Sequence, residues 1–367
     1  MTKEPVQRNS GRSRIDRLRL FFPGLPADAL LVTHLPNIRY LCGFTGSNAL
    51  LYVESLSATL FTDSRYTIQA REEVSDAQIS IAKHGLIKSL GNILARRPGR
   101  PRLGYEPSQL TVAQKDELQS AAGARIRWVA APLGVEKLRA VKDASEQVLM
   151  RDAAALISKV WTEVVAGIKP GTAELAVAAE MEYAMKLQGA SGPSFDSIVA
   201  SGPRSALPHA RPTSKLLKKN ELLVLDQGAI LRGYCSDMTR TVFLGHASAR
   251  VRGLYQAVLE AKDTATAAIR PGIKAGEVDA AARKVLQRHK LGQYFTHSTG
   301  HGLGIEIHEL PRLGKNEDIM LQEGMALTVE PGVYIQGLGG IRIEDEVLVT
   351  AKAAEVLTSA TRKFLEL

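Results

Sequence analysis

Residues 168–189 read IKPGTAELAVAAEMEYAMKLQG, and residues 269–292 read IRPGIKAGEVDAAARKVLQRHKLG. They are one pattern written twice. Pro170-Gly171 aligns with Pro271-Gly272, Glu174 with Glu277 after a two-residue insertion, and Gly189 with Gly292. Each copy predicts a helix, a Pro-Gly turn and a second helix capped by glycine. A duplication of this kind decides the fold before any single motif does.

The repeat continues into strands. ELLVLDQGAILRGYCSDMTRTVFLG (221–245) parallels GMALTVEPGVYIQGLGGIRIEDEVLV (324–349), with Asp226 opposite Glu330 and Gly228 opposite Gly332. Each segment reads as two strands around a turn, near Leu231–Gly233 in the first and near Gly337 in the second. Asp226 and Asp237 flank the first turn, Glu330 and Glu344 the second. Residues equidistant from a hairpin turn are direct neighbours, with Cβ atoms roughly 5 Å apart. Each half is therefore expected to deliver a carboxylate pair. Paired carboxylates among apolar residues need a shared proton or a cation. All four could instead sit at strand ends in water, but two pairs at equivalent places of a repeat weigh against that. A carboxylate-rich site with one imidazole suits Mn, Co, Fe or Zn, and four carboxylates can hold two ions roughly 3.5–4 Å apart.

The imidazole comes from HSTGHGLGIEIHE (297–309), which holds three of the chain's eight histidines. His301, between Gly300 and Gly302, is the candidate ligand, the glycines letting backbone approach the metal pocket. His297 and His308 read as helpers that orient substrate or donate to an oxyanion. His209, after Pro208 in FDSIVASGPRSALPHARPT (195–213), reads on its own as a surface-loop residue.

The rest of the chain sets bounds. With 367 residues and 45 % hydrophobic content, two domains are expected. From Arg14 to Ala131 short strands (29–33, 48–53, 58–62, 126–130) alternate with helical runs (65–74, 85–97), as in a small α/β domain. A long helix is expected to begin around Asp143–Ser145. No apolar run approaches the roughly 20 residues that span a bilayer, and no signal peptide is legible. A cytoplasmic protein without membrane partners is the expectation. Cys42 and Cys235 are the only cysteines; both are expected reduced and buried. The net charge of +9 raises nucleic acid as a partner. The 5 % aromatic content and the absence of a binding module favour a solvated basic surface instead.

With these motifs in place, the chain resembles the metal-dependent Xaa-Pro peptidases, aminopeptidase P and prolidase, of the pita-bread superfamily. HSTGHGLGIEIHE, SIVASGPRSALPHA, LDQGAILRGYCSDMTRT, TVEPGVY and GGIRIEDEVLVT are similar to the family's blocks, in the family's order. NIRYLCGFTGSNALLYV and LFTDSRYTIQA resemble its creatinase-like N-terminal domain. The resemblance implies an α+β chain: a basic tail over residues 1–14, expected flexible; a smaller α/β creatinase-like domain over 15–132; and a pita-bread catalytic domain over 133–367. It implies Asp226, Asp237, His301, Glu330 and Glu344 as ligands of two divalent ions, Mn²⁺ first, Co²⁺ or Zn²⁺ as alternatives. Asp237 and Glu344 would bridge, and Glu330 would handle the proton of the attacking water. His209, His297 and His308 match substrate-facing histidines. Arg342 matches an arginine near the site, with a role toward substrate or as a neutralising partner of the carboxylates. Tyr334 is expected in core packing, with a place in the pocket wall as the lesser alternative. The implied reaction is hydrolysis of the bond before a penultimate proline in peptide substrates, of the aminopeptidase P type, with the Xaa-Pro dipeptidase (prolidase) as alternative. A non-catalytic scaffold of the same fold is disfavoured by the intact ligand set. A homodimer is the family's usual assembly.

Overall fold

The computed structural model describes residues 12–132 and 134–367; most of the basic tail lies outside the described residues. Contacts divide the chain into two compact units, Met1–Arg139 and Ala140–Leu367. Among the described residues no helix is long and apolar enough to cross a membrane.

In the first unit six strands form one mixed sheet: β1 (Ala29–Val32), β2 (Ala49–Glu54), β3 (Ala58–Thr62), β4 (Gln78–Ile81), β5 (Arg102–Tyr105) and β6 (Arg127–Ala130), in the order β4-β3-β2-β1-β5-β6. Its helices are α1 (Arg14–Arg19), α2 (Leu35–Cys42), α3 (Thr67–Glu73), α4 (Leu86–Ala95), α5 (Val112–Ala121) and α6 (Gly134–Ala140). Leu90, Leu94 and Leu118 pack with Leu31, Phe61 and Leu103, so α4 and α5 cover one sheet face. The four expected strands and two expected helices are present. Strands β4 and β5 and helices α1, α2 and α5 were not legible, being short and weakly periodic. Cys42, here, and Cys235, in the second unit, are both buried, as expected, and neither is in a disulfide.

The second unit opens with α7 (Ala144–Val165), capped by Asp143, whose carboxylate accepts the Glu146 amide. Next come α8 (Glu174–Leu187), β7 (Gly192–Pro193), β8 (Ile198–Ser201), β9 (Glu221–Gln227), β10 (Ala229–Leu231), β11 (Tyr234–Cys235) and β12 (Met238–Leu244). The second repeat supplies α9 (Ala249–Ala268), α10 (Ala275–Arg288), β13 (Gly300–Gly302), β14 (Glu309–Leu313), β15 (Ala326–Val329), β16 (Gly332–Ile335), β17 (Gly339–Arg342), β18 (Asp345–Val349) and β19 (Ala354–Val356).

The duplication is visible in the sheets. One sheet runs β12-β9-β8, the other β14-β13-β15-β18-β19. Strands β8, β9 and β12 thus correspond to β13, β15 and β18. Alternation sorts the side chains. Leu223, Leu225 and Val242 pack under α7 and α8 with Trp161 and Met181. Leu327, Val329 and Val347 pack under α9 and α10 with Val258 and Val285. The intervening residues, Asp226, Thr239, Thr328 and Glu346, fall on the opposite faces. Gly189 caps the first copy in the left-handed region (φ 95°), as expected. In the second copy Lys290 takes that role (φ 59°) and Gly292 only opens a short 3-10 turn.

Candidate metal centre

Each carboxylate is delivered by a hairpin. In the first, Arg232 and Gly233 form the two-residue turn, both with positive φ (49° and 81°). Thr239 lies opposite Asp226, not Asp237. The expected direct pairing was wrong by two positions, because the turn is centred one residue later than the even spacing of the aspartates suggests. Asp237 precedes β12, diagonal to Asp226. In the second hairpin Val329 faces Asp345, so continuing the register brings Glu330 opposite Glu344.

The inner faces of the two sheets bring the four carboxylates and His301 together. One atom each of Asp237, His301 and Glu344 lies within 4.8 Å of the others. His301 Nε2 stands 3.6 Å from Asp237 Oδ2 and 3.6 Å from Glu330 Oε1. These separations are long for hydrogen bonds and suit donors sharing one ion at roughly 2.0–2.2 Å each. His301 Nδ1 lies 3.0 Å from the Gly302 carbonyl. A carbonyl only accepts, so Nδ1 carries the proton and Nε2 presents its lone pair. Burial pushes this imidazole down to about 4, which keeps it neutral.

The carboxylates are under electrostatic stress. Burial first, then Glu344, Asp226 and Glu330, raises Asp237 well above the carboxylate range. Burial, Glu330 and Asp226 do the same to Glu344. Burial pushes Glu330 up to about 8, with Arg342 opposing and Asp226 adding to the rise. Asp226 Oδ1, Asp237 Oδ1 and Glu344 Oε1 are buried without a hydrogen-bond partner. An orphaned buried oxygen is costly unless a cation meets it. The donor set fits hard to borderline divalent ions.

Around this set the other carboxylate oxygens are held. Thr239 Oγ1 donates to Glu344 Oε2 (2.7 Å), and the Asp237 amide donates to Glu346 Oε1 (2.7 Å). Arg342 Nη2 donates to Asp226 Oδ2 (2.5 Å), which makes it the neutralising partner of a carboxylate. The same guanidinium donates to the Pro208 carbonyl (3.0 Å) and to Tyr334 Oη (2.6 Å). Tyr334 is thus a polar junction, not the packing residue expected: its hydroxyl is 2.9 Å from His297 Nε2. His297 Nδ1 is 2.8 Å from the Ser298 carbonyl, so both ring nitrogens are engaged. His308 and His209 are exposed. His308 packs edge-on to His301, ring centroids 4.4 Å apart. Burial lowers both His297 and His308, and His209 is near enough to act on each, so the three imidazoles border one space.

The glycines of this stretch serve the sheet. A Cβ on Gly300 would stand 2.0 Å from the Thr328 carbonyl oxygen, and one on Gly302 2.1 Å from that of Leu310. They let neighbouring strands close in, where the sequence reading had them opening the way to metal. Sequence reasoning missed Thr239 and Glu346. Thr239 follows from the hairpin register once the turn is placed; Glu346 lies two residues beyond Glu344, on the same strand face.

Comparison with known proteins bears on this geometry. Residues 148–351 match the metallopeptidase family M24 model, and residues 14–141 match the creatinase/prolidase N-terminal domain. A solved Xaa-Pro dipeptidase from Bacillus anthracis is 36 % identical, covers 96 % of this chain and 99 % of its own, and superposes with a TM-score of 0.93. The Xaa-Pro dipeptidase of Pyrococcus horikoshii is 35 % identical over 92 % of this chain and 94 % of its own. An X-Pro aminopeptidase structure from Thermotoga maritima is 34 % identical over 95 % of this chain and 100 % of its own, with a TM-score of 0.87. The duplicated fold carrying the carboxylates, and the sheet domain that precedes it in sequence, are accounted for together: the chain belongs to metallopeptidase family M24, with a creatinase/prolidase N-terminal domain.

Proposed function

We propose that this chain is an Xaa-Pro dipeptidase, a prolidase, using two divalent cations. That replaces the aminopeptidase P type as the first reading, because the most similar solved relative described above is an Xaa-Pro dipeptidase. The observation that carries the metal reading is the meeting of Asp237, Glu344 and His301 within 4.8 Å, with one buried oxygen each of Asp226, Asp237 and Glu344 lacking a hydrogen-bond partner. Asp226, Asp237, His301, Glu330 and Glu344 would hold the ions. The family's chemistry favours Mn²⁺, with Co²⁺ and Zn²⁺ as alternatives.

Bound divalent cations acidify the attacking water and polarise the scissile carbonyl. The chain supplies the rest. Glu330, whose affinity for a proton is raised by burial, takes the proton from water and returns it to the prolyl nitrogen as that bond breaks. His308 and His209, exposed on the open side, orient the dipeptide and donate to the developing oxyanion. His297 has no free ring nitrogen, so it shapes the pocket wall rather than donating. Arg342 keeps Asp226 ionised and ties the Pro208 segment to the site. Catalysis belongs to the part from about residue 133 onward, and residues 15–132 form the accessory domain. The chain functions as a homodimer in the cytoplasm.

A second reading, an X-Pro aminopeptidase, is favoured by the Thermotoga maritima structure. Hydrolysis of Xaa-Pro and Xaa-Pro-Yaa peptides by the Mn²⁺-loaded protein separates the two. Preference for the dipeptide supports the first reading, preference for the tripeptide the second, and turnover of neither refutes both.

A further inference from the structure

Two buried carboxylates outside the metal centre occupy corresponding places in the repeat. Glu174, the first residue of α8, is fully buried. Its Oε1 accepts from the Ser201 amide (2.9 Å) and Ser201 Oγ (2.8 Å). Its Oε2 accepts from Arg204 Nε (3.1 Å), the Thr213 amide (3.1 Å) and Thr213 Oγ1 (2.9 Å). One carboxylate therefore pins both ends of the arm 202–213. Between those ends lie His209 and the Pro208 carbonyl that accepts from Arg342.

Asp279, in the first turns of α10, is 1 % exposed. Its Oδ1 accepts from the Thr299 amide (3.1 Å) and Thr299 Oγ1 (2.9 Å). Its Oδ2 accepts from Arg283 Nε (2.6 Å). Arg283 in turn donates to the Phe295 carbonyl (3.1 Å) and the His297 carbonyl (2.5 Å), and its guanidinium lies 4.3 Å over the Phe295 ring. So the arm 295–299, which carries His297, is clamped by a carboxylate, an arginine and one hydroxyl-bearing residue, where the first repeat uses a carboxylate, an arginine and two, Ser201 and Thr213. Sequence alignment had matched Glu174 with Glu277, yet Glu277 is exposed and Asp279 fills the place.

Every partner of either carboxylate is a donor. A buried ion held this way adds little to stability over an apolar replacement, but it fixes geometry. We propose that Glu174 and Asp279 are positioning residues, one per repeat, each holding the arm that carries a histidine of the pocket: the substrate-facing His209 in the first, the pocket-wall His297 in the second. The substrate-facing role rests on the function proposed above.

Asp279→Asn and Glu174→Gln in the metal-loaded, full-length protein test this. An amide must turn N–H groups toward donors, so each arm loosens. Mn²⁺ bound per chain should stay at the wild-type level, while kcat/KM on an Xaa-Pro dipeptide falls about 10- to 100-fold, the scale of a 1 Å misplacement. The decisive comparison is the double variant. Asp279→Asn should add no further loss in a His297→Ala background, nor Glu174→Gln in a His209→Ala background. Equal losses in both backgrounds, or loss of metal together with activity, would overturn the proposal. Thr299→Val and Thr213→Val, which delete one hydroxyl each, carry the same comparison where the amide variants fail to fold. A readout independent of substrate is the long-range ¹H–¹⁵N imidazole spectrum. Wild-type His297 should show one Nδ1–H tautomer, and Asp279→Asn a mixture. An unchanged His297 signal sinks the claim for Asp279 even if the wild type hydrolyses no Xaa-Pro peptide, an outcome that would refute the function separately.

Discussion

Asp237→Ala and His301→Ala each remove a donor from the centre of the site, and His308→Ala removes an exposed ring beside it. The first two should lose bound metal and activity together, because Asp237, His301 and Glu344 converge within 4.8 Å. His308→Ala should keep its metal while turnover falls by roughly 10²–10³, the usual loss for one oxyanion donor. Metal content, melting temperature and turnover of the three purified variants check this; metal loss in His308→Ala would make it a ligand. At this scale much was legible. Aspartate, glutamate and histidine carry their chemistry in their identity, and a repeat that places them twice advertises it. Tyr334 was misjudged because its neighbours Val333 and Ile335 are apolar. Only the fold brings its hydroxyl between Arg342 and His297.

Among elements, the helices and strands of the repeat were readable from period and turn chemistry, and the register was not. Even spacing about a turn does not say on which residue the turn is centred. Arg232, an unlikely residue for positive φ, moved the centre and put Thr239 where Asp237 was expected. The tight approach of β13 to β15 was likewise hidden in a glycine read as serving the metal. Gly300→Ala would place a methyl 2.0 Å from the Thr328 oxygen. It should destabilise the protein by about 1–3 kcal/mol or more, as overpacking does, and weaken metal binding as His301 shifts; a melting curve and a Mn²⁺ titration read both. Asp345, the first residue of β18, accepts from Arg240 Nη2 (2.8 Å) and Lys262 Nζ (2.6 Å), both 1 % exposed. Asp345→Ala leaves buried Arg240 with carbonyl acceptors only and Lys262 with Asp263 alone. A loss of about 3–5 kcal/mol in denaturant unfolding is expected, whereas a change below 1 kcal/mol would mean the cations find other partners.

For the whole molecule, the raised carboxyls make stability depend on pH in an unusual direction. Glu330 goes from an ordinary 4.5 to about 8 on folding, and Asp237 and Glu344 move the same way. The folded chain then binds more protons than the unfolded one between those values, so stability falls as pH rises through that window. Protein stripped by chelation should melt progressively lower from about pH 4.5 to about 8, and excess Mn²⁺ should remove the slope by binding the ionised carboxylates. A stripped protein that gains stability across the window would show that these groups are not crowded as described. Dimerisation was expected from the resemblance alone, and no run of residues announced it. The central claim, that five residues hold divalent ions for cleavage before proline, is tested most directly by titrating metal-free protein with Mn²⁺ while following hydrolysis of an Xaa-Pro dipeptide. Activity should be absent at the start, rise with added ion and saturate at two Mn²⁺ per chain. Full activity without metal, or no activity at saturation, would contradict it.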